Sequence, residues 1–336
     1  MQIAGTVVLV TGANRGVGRA FVEALAARGA AKIYAGARDP ARLADLAARF
    51  KGKVEPVKLD ITCAAEIAAA RARCRDVTLL INNAGINLQA GLIAAADLGP
   101  ARAEIETNYL GPLAMCRAFA PVLKSNGGGA IVNMLSIAAR VNLPMYGSLS
   151  ASKAAALSMT QGVRAELAAQ GTLIVAVMPG AIDTEMELNF PPPKLPPTEA
   201  ARIALDAVEQ GLEDVYPGDM AAGMSGGLAA DAKAVEKDLA NICRCSLALV
   251  SSVPWHRAGR CRRRLFRLTG RGNEVEAVVY WRGTGSSNPS PSREEGANFR
   301  FLRTQRLTRA ERRVCSGLQP FPGRRRGHRV PVDQAL

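Results

Sequence analysis

Strand-like segments alternate with helix-like segments over most of this sequence. The strand-like runs are Thr6–Val10, Lys32–Ala35, Val54–Leu59, Val77–Ile81, Ala130–Leu135 and Leu173–Val177. The most apolar of these runs lack polar alternation, which is typical of strands buried on both faces. Helices between successive strands require right-handed crossovers in a parallel sheet. The sequence therefore predicts an α/β fold, with a doubly wound parallel sheet and helices on both faces.

The alternation and the charge balance both change near Ile242. Residues 1–242 carry 23 basic and 23 acidic side chains, whereas residues 243–336 carry 20 Arg, no Lys and six acidic side chains. The net charge of +14 therefore belongs to the last part of the chain. We predict a near-neutral α/β domain over residues 1–242, followed by a poorly structured Arg-rich tail over residues 243–336.

Three interpretations of this tail stay open. Arg clusters attract phosphate, so the tail could bind nucleic acid or an anionic membrane. A metal knuckle could form from Cys243, Cys245, His256 and Cys261, although these spacings match no common zinc pattern. The tail could also be a structureless extension, for example an out-of-frame one. Twenty Arg without one Lys favours the extension, because phosphate attraction alone accepts either residue. We predict no metal site and do not expect nucleic acid as a partner.

A glycine-rich loop, TGANRGVG, lies between the first strand and the first helix. Its glycines allow a tight turn whose backbone can approach a pyrophosphate, and the following helix N-terminus offers free N–H groups. Asp60 ends the third strand, where its carboxylate could bind an adenine amino group. The segment NNAG ends the fourth strand and would form one wall of the nucleotide cleft. This pattern predicts a Rossmann-type dinucleotide site formed by Gly12, Asn14, Arg15, Gly16, Val17, Gly18, Asp60, Ile61, Asn83, Ala84 and Gly85.

The TGxxxGxG loop together with NNAG closely resembles the short-chain dehydrogenase/reductase family. The resemblance covers residues 1–242 and implies about seven strands, with Asp214–Tyr216 as a short seventh. It implies exchange between a carbonyl and an alcohol through a nicotinamide cofactor. It also implies that Pro179, Gly180 and Thr184 lie at the cofactor. Homodimers or homotetramers that pair through helices near residues 102–124 and 149–169 are implied in the same way.

The end of the second strand favours NADP(H) over NAD(H). An acid at that point would bind the ribose diol of NAD, whereas cations would bind the 2′-phosphate of NADP. The strand ends with Arg38, and Arg15 faces the same corner, so two guanidinium groups could hold one phosphate. Asp39 is adjacent but also fits a helix N-cap before Pro40. The alternative is that both Arg residues are solvated surface charges.

The resemblance implies four catalytic side chains, and three of them are present. Asn108, Ser136 and Lys153 lie where the family has its Asn, Ser and Lys, and Lys153 would also bind the nicotinamide ribose. The family's Tyr would lie four residues before Lys153 on the same helix face, and that residue is Leu149. Because Leu cannot transfer a proton, we predict an impaired oxidoreductase, with an NADP(H)-binding pseudoenzyme as the alternative. Tyr146 is the candidate substitute, although Pro144 and Gly147 predict a loop there.

The segment Glu185–Pro197 contains five Pro and follows the sixth strand, at the sheet edge where ligands bind. We interpret it as a lid or specificity loop, or alternatively as an ordinary connection. Apolar residues near the cleft favour a small apolar carbonyl or alcohol substrate; they are Leu143, Met145, Leu149, Leu188 and Phe190. No apolar run is long enough to span a bilayer, so we expect a cytoplasmic protein without a membrane partner.

Overall fold

The computed structural model describes residues 1–188, 190, 192–251, 264–270 and 273–279. Its main sheet has the strand order β3-β2-β1-β4-β5-β6-β7, and every neighbouring pair is parallel. The strands are β1 (Val7–Thr11), β2 (Lys32–Ala37), β3 (Val54–Lys58), β4 (Leu79–Asn82), β5 (Ala130–Met134), β6 (Leu173–Val177) and β7 (Asp214–Val215). This topology confirms the predicted doubly wound sheet of seven strands.

Helices cover both faces of the sheet. They are α1 (Gly16–Ala27), α2 (Ala44–Arg49), α3 (Ala64–Arg73), α4 (Gly99–Ile105), α5 (Gly111–Ser125), α6 (Gly147–Leu167), α7 (Pro197–Gln210) and α8 (Asp219–Ser251). On one face, Phe21 of α1 and Leu205 of α7 are fully buried in a shared core. On the other face, Phe119 of α5 packs in a second core with α3 and α6. Each such side chain contributes roughly 1.5–3 kcal/mol by leaving water.

Strand β1 lies between β2 and β4, so the strand order reverses beside it. The loops that leave β1 and β4 therefore diverge to opposite faces and open a crevice at the carboxyl ends of these strands. The glycine-rich loop and the NNAG segment both begin at this crevice. The fold thus brings together the two motifs that the sequence places 70 residues apart.

Helix α8 is the main element that the sequence did not predict. Asp231 interrupts it with non-helical φ −154° and ψ 95°. The Asp231 carboxylate accepts the N–H groups of Lys233 and Ala234, so it caps the second half of the helix. The helix continues past Ile242, and the predicted domain boundary therefore falls inside it.

Beyond α8, the described residues form one antiparallel hairpin of β8 (Arg264–Gly270) and β9 (Asn273–Val279). It belongs to a second compact unit. The side chains of the alternative zinc set Cys243, Cys245, His256 and Cys261 lie outside the described residues. Within the described part of the chain, no helix is both long enough and apolar enough to cross a membrane.

Candidate functional site

The glycine-rich loop after β1 is fastened to the end of β4. The Thr11 hydroxyl accepts the N–H groups of Asn83 at 2.9 Å and Ala84 at 3.0 Å. The backbone at Gly12 has φ +64°, and a Cβ there would lie 3.0 Å from the Ala84 Cα. A Cβ on Gly18 would lie 2.1 Å from the Gly12 carbonyl oxygen. The loop can therefore close against β4 only with glycine at both positions.

The N-terminus of α1 has no side-chain cap. Arg15 is the N-cap residue, with extended backbone and no capping hydrogen bond from its side chain. The Arg19 N–H group makes the first helical bond, to the Arg15 carbonyl, so the earlier N–H groups face out of the helix end. These donors and the positive end of the helix dipole suit an anion such as a pyrophosphate. The residues present therefore fit the predicted dinucleotide.

Thr184 lies beside this helix start. A Cβ on Gly16 would lie 3.3 Å from the Thr184 Cγ2 atom, so the chain after β6 passes close to the glycine-rich loop. Pro179 and Gly180 occupy the same edge: the Pro179 carbonyl accepts the Ile137 N–H at 2.9 Å, and Gly180 packs against Met220 of α8. The predicted residues after β6 thus border the crevice.

The two predicted phosphate ligands, Arg15 and Arg38, are both exposed but differ in their partners. Arg15 forms an ion pair with Glu185, whose side chain is 68% exposed. Arg38 is close enough to Asp60 for its charge to favour the ionised carboxylate. Asp39 accepts the Ala41 N–H at 3.1 Å and caps the short turn Pro40–Leu43, as its N-cap interpretation predicted.

Asp60 follows β3 and accepts two hydrogen bonds from Thr62, from its N–H at 2.9 Å and its hydroxyl at 2.7 Å. Burial acts to raise the pKa of Asp60. The Thr62 hydrogen bonds and the Arg38 charge outweigh this effect, so the pKa lies below its usual value. The ionised carboxylate can accept an amino group, as its predicted adenine contact requires. Ile61 is buried against Gly111, so it would face a ligand only through its backbone.

Asn108 lies in a π-helical turn, Glu106–Leu110, that joins α4 to α5. The sequence predicted one continuous helix here, because helical periodicity does not reveal a single inserted residue. The Asn108 amide bonds both the N–H of Ile86, at 2.9 Å, and its carbonyl, at 3.0 Å. Its Nδ2 atom also donates to the Ser152 hydroxyl at 3.0 Å. Asn108 thus links the segment after β4 to α6.

Lys153 lies in α6, and its Nζ atom donates to the Met134 carbonyl at 2.8 Å. Burial lowers the pKa of Lys153 to about 8, and the Glu104 charge opposes this effect. A Cβ on Gly85 would lie 3.1 Å from the Asn108 Oδ1 atom and 3.7 Å from the Lys153 Nζ atom. Ser136 follows Met134 by two residues, and its hydroxyl accepts the Ala138 N–H at 3.2 Å. The structure therefore brings Asn108, Ser136 and Lys153 to the carboxyl ends of β4 and β5.

Helix α6 begins at Gly147, so Leu149 lies in its first turn and one turn before Lys153. The Leu149 side chain is buried and carries no group that can donate or accept a proton. Tyr146 ends a short turn directly before the helix and is also buried. Burial, with the Glu187 charge as a second cause, raises the pKa of Tyr146 to about 12. That value argues against Tyr146 as a base near neutral pH.

The predicted lid approaches the cleft through Glu187. Its carboxylate accepts the Asn87 side chain at 3.1 Å, and burial raises the pKa of Glu187. The base of the segment is closed by a bridge between Ile182 and Leu195. Four apolar side chains of the elements that meet here are exposed or partly exposed: Leu88 (47%), Met145 (42%), Met186 (36%) and Leu188 (67%).

Sequence reasoning missed Glu104 and Glu187, two carboxylates near the predicted catalytic residues. Glu104 precedes Asn108 by four residues, so helical spacing alone could have placed it on the same face. Glu187 has no comparable signal, because only the folding of the segment Glu185–Pro197 brings it to Asn87. Among the described side chains, no group of three or more His, Cys, Asp or Glu residues is arranged to hold a metal ion.

Comparison with known proteins identifies relatives over the same part of the chain. The family model for short chain dehydrogenases matches residues 6–194. A short chain dehydrogenase of Monascus purpureus is 38% identical over 199 residues, which cover 56% of this chain and 68% of that protein. An uncharacterized oxidoreductase of Staphylococcus saprophyticus is 31% identical over 221 residues, which cover 62% of this chain and 94% of that protein.

Among solved structures, a short chain dehydrogenase from Burkholderia cenocepacia in complex with NADP is similar to this chain. The two share 53% sequence identity and superpose with a TM-score of 0.68. The match covers 71% of this chain and 99% of the Burkholderia chain.

Proposed function

The chain belongs to the short-chain dehydrogenase family, and on this premise we propose that it is an NADP(H)-dependent oxidoreductase whose chemistry is impaired at Leu149. It would interconvert a small apolar carbonyl and its alcohol. The observation that carries the proposal is the meeting of Asn108 and Lys153 at Gly85, with Ser136 in the loop that follows the neighbouring strand β5. Packing of the core would not by itself require the partly buried Lys153 ammonium group beside Gly85.

The chain's own residues suit each part of the cofactor. The open N-terminus of α1 would hold the pyrophosphate, and Asp60 would accept the adenine amino group. Lys153 would bind the nicotinamide ribose, and Thr184 would contact the carboxamide. When bound, NADPH supplies the hydride that reduces a carbonyl. Ser136 would donate to the carbonyl oxygen and so stabilise the charge that develops there.

Two observations support NADP(H) over NAD(H). Arg38 is exposed at the end of β2, and its charge reaches Asp60 on the neighbouring strand. The Burkholderia cenocepacia dehydrogenase, which is 53% identical, was solved with NADP. Arg15 would join Arg38 on the 2′-phosphate by exchanging its Glu185 partner for the phosphate.

Because residue 149 is Leu and not Tyr, the proton must reach the substrate oxygen by a slower route. Lys153 has a pKa of about 8, so near neutral pH its ammonium is mostly protonated and can release a proton to water. A water held between Lys153 and the substrate oxygen would relay that proton. Loss of a positioned general acid costs about 10²- to 10⁴-fold in rate, and we expect a deficit of this size.

The second candidate is an NADP(H)-binding module without efficient turnover. The raised pKa of Tyr146 favours it, because the nearest phenol is a poor proton-transfer group. Both candidates retain the cofactor cleft. They differ in whether reduction of a carbonyl can be measured.

Titration of the whole 336-residue chain with NADPH, followed by a panel of small apolar aldehydes and ketones, tests the proposal. We expect saturable NADPH binding, weaker NADH binding and slow NADPH oxidation with some members of the panel. Tight binding without any oxidation would support the binding module. Absence of NADPH binding would contradict both candidates.

We also propose that the chain forms homodimers or homotetramers. Leu110 is 39% exposed at the junction of the π turn and α5, within the region that the family resemblance assigns to pairing. Light scattering coupled to size-exclusion chromatography would measure the mass. A monomer at micromolar concentration would contradict this assembly.

A further inference from the structure

Glu104 is a fully buried carboxylate that none of the roles above uses. It lies near the end of α4 and is 0% exposed. One carboxylate oxygen accepts the Leu88 N–H at 2.7 Å, and the other accepts the Ser148 hydroxyl at 2.5 Å. Both carboxylate oxygens therefore have a hydrogen-bond partner inside the protein, which an ionised carboxylate can use as an acceptor at each oxygen. A buried charge is costly unless it is hydrogen-bonded and paired, so its surroundings must compensate for it.

The two donors belong to different parts of the site. Leu88 lies three residues after Gly85, in the segment that leaves β4. Ser148 is the second residue of α6 and directly precedes Leu149. Glu104 therefore joins the segment after β4 to the start of the helix that carries Lys153.

Asn108 makes the companion contact one turn further along the same helical stretch. It bonds the N–H and the carbonyl of Ile86, two residues before Leu88. The Ser148 N–H donates to the Ala90 carbonyl at 3.3 Å and extends the same attachment. The segment 86–90 is thus held at three alternate residues, and Glu104 supplies the central contact.

Glu104 also acts on Lys153 through its charge. Its negative charge favours the ammonium form and opposes the effect of burial. The other polar groups around Lys153 are uncharged: the Met134 carbonyl bonds its Nζ atom, and the Asn108 amide approaches it across Gly85. Among the remaining titratable groups at the cleft, Glu187 acts on Tyr146, which is neutral near pH 7.

We propose that Glu104 is a positioning residue for Lys153: its buried carboxylate clamps the segment 86–90 against the first turn of α6, the helix that carries Lys153, and its charge acts on the Lys153 ammonium. The inference rests on the proposed function only in giving Lys153 a task at the cofactor. The clamp and the charge interaction exist in the protein without cofactor. They can therefore be tested without any turnover.

Glu104→Gln removes the charge and keeps the shape. The amide oxygen can still accept the Leu88 N–H, and the amide nitrogen can donate to the Ser148 hydroxyl, which also accepts hydrogen bonds. The readout is the reactivity of Lys153 toward acetic anhydride in the full chain, followed by peptide mass spectrometry between pH 6 and 10. Only the neutral amine reacts, so the midpoint reports the protonation of Lys153.

We expect the Lys153 midpoint to move down by about one pH unit in Glu104→Gln, which is about tenfold in the protonation equilibrium. Glu106→Gln is the matched control, because Glu106 lies two residues further on and is exposed. The Lys153 midpoint in Glu106→Gln should equal that of the wild type. An unchanged midpoint in Glu104→Gln would overturn the proposal, because a purely structural clamp does not alter the charge state of Lys153.

If Glu104→Gln does not fold, the double variant Glu104→Met with Ser148→Ala removes the charge together with its hydroxyl partner. Replacing both partners of a buried hydrogen bond by apolar groups is tolerated better than replacing one. The same downward shift is expected, and an unchanged midpoint again overturns the proposal. NADPH affinity measured over the same pH range adds a second readout. If the midpoint shifts but NADPH does not bind, the proposed function fails while the Glu104–Lys153 interaction stands.

Discussion

At single positions, this site depends on missing side chains as much as on the side chains present. Gly18 leaves room for the Gly12 carbonyl, and Gly85 leaves room for Asn108 and Lys153. At Leu149, by contrast, a side chain is present but lacks the hydroxyl that the family resemblance implies. The proposed function requires cofactor binding and proton transfer. The glycines affect cofactor binding, whereas residue 149 affects proton transfer.

Gly18→Ala should strongly weaken cofactor binding. Its Cβ would lie 2.1 Å from a backbone oxygen that cannot move without opening the glycine-rich loop. We expect at least tenfold weaker NADPH binding and a loss of about 1–3 kcal/mol in the free energy of unfolding, as overpacking commonly costs. Fluorescence titration and urea unfolding measure the two effects.

Gly162→Ala is the control for that change. Gly162 lies within α6, and an added Cβ there meets no atom within 4 Å. Ala is favoured over Gly in a helix interior, so this variant should gain about 0.5–1 kcal/mol with unchanged NADPH affinity. Equal loss of NADPH binding in both variants would contradict the role assigned to Gly18.

At the scale of the elements, the segment Glu185–Pro197 forms an ion pair with the glycine-rich loop. Arg15 and Glu185 are both mostly exposed, and an exposed ion pair is worth about 0–1 kcal/mol. Glu185 would compete with the 2′-phosphate for Arg15. Glu185 therefore affects the choice between NADP(H) and NAD(H) if Arg15 binds that phosphate.

Glu185→Gln should tighten NADPH binding by about two- to fivefold, because Arg15 loses its carboxylate partner Glu185. NADH binding should change little, since NADH lacks the phosphate. Calorimetric titration with both cofactors measures the difference, and Glu199→Gln on α7 is a control that removes another exposed carboxylate. Equal effects on NADPH and NADH would show that Arg15 does not bind the phosphate.

The sequence predicted the strands and the position of the glycine-rich loop between β1 and α1 well, because local patterns encode both. The first four of the five residues of strand β1 are apolar, and the glycines after it are needed for the turn itself. Helix α8 was missed because Gly223, Gly226 and Gly227 weaken its helical signal. The π turn at Asn108 was missed because one extra residue hardly alters the apolar periodicity.

The partners of the site residues could not be predicted from local patterns. The Arg15–Glu185 pair joins residues 170 positions apart, and the Asn87–Glu187 bond joins residues 100 positions apart. The low pKa of Lys153 follows from burial, which the sequence does not report. The catalytic positions themselves came from the family resemblance, and their surroundings came from the fold.

For the molecule as a whole, several carboxylates connect stability to pH. Their pKa values lie below the usual range: Asp45, Asp60, Glu66, Asp76 and Glu199. Each accepts hydrogen bonds from a neighbouring cation, hydroxyl or backbone N–H, although burial of Asp60 and Asp76 acts in the opposite direction. A carboxylate whose pKa is lower in the folded state stabilises it above the unfolded pKa of about 4.

The domain should therefore lose stability as the pH falls from about 5 to about 3, because the unfolded chain binds more protons. Glu187, whose pKa is raised, contributes in the opposite direction. Urea unfolding at pH 7, 5, 4 and 3 gives the free energy at each value. A free energy that stays constant or rises toward pH 3 would contradict the assigned hydrogen bonds.

We propose that the cofactor domain is independent of the Arg-rich tail. The Burkholderia relative matches 71% of this chain over 99% of its own length, which supports a boundary within the second half of α8. A chain shortened after Ser251 should bind NADPH as tightly as the full chain, within about twofold. A tenfold weaker affinity would assign the tail a part in the site.

We propose that this protein keeps the cofactor cleft of its family and lacks only the group that transfers the proton. The most direct test is the rate of NADPH oxidation by Leu149→Tyr, compared with the wild type and with Leu149→Phe, at saturating carbonyl. Leu149→Phe adds an aromatic ring of similar size without the hydroxyl. We predict that Leu149→Tyr is at least about 100-fold faster than both, with NADPH affinity unchanged. Equal rates for all three proteins, with NADPH bound, would contradict the account.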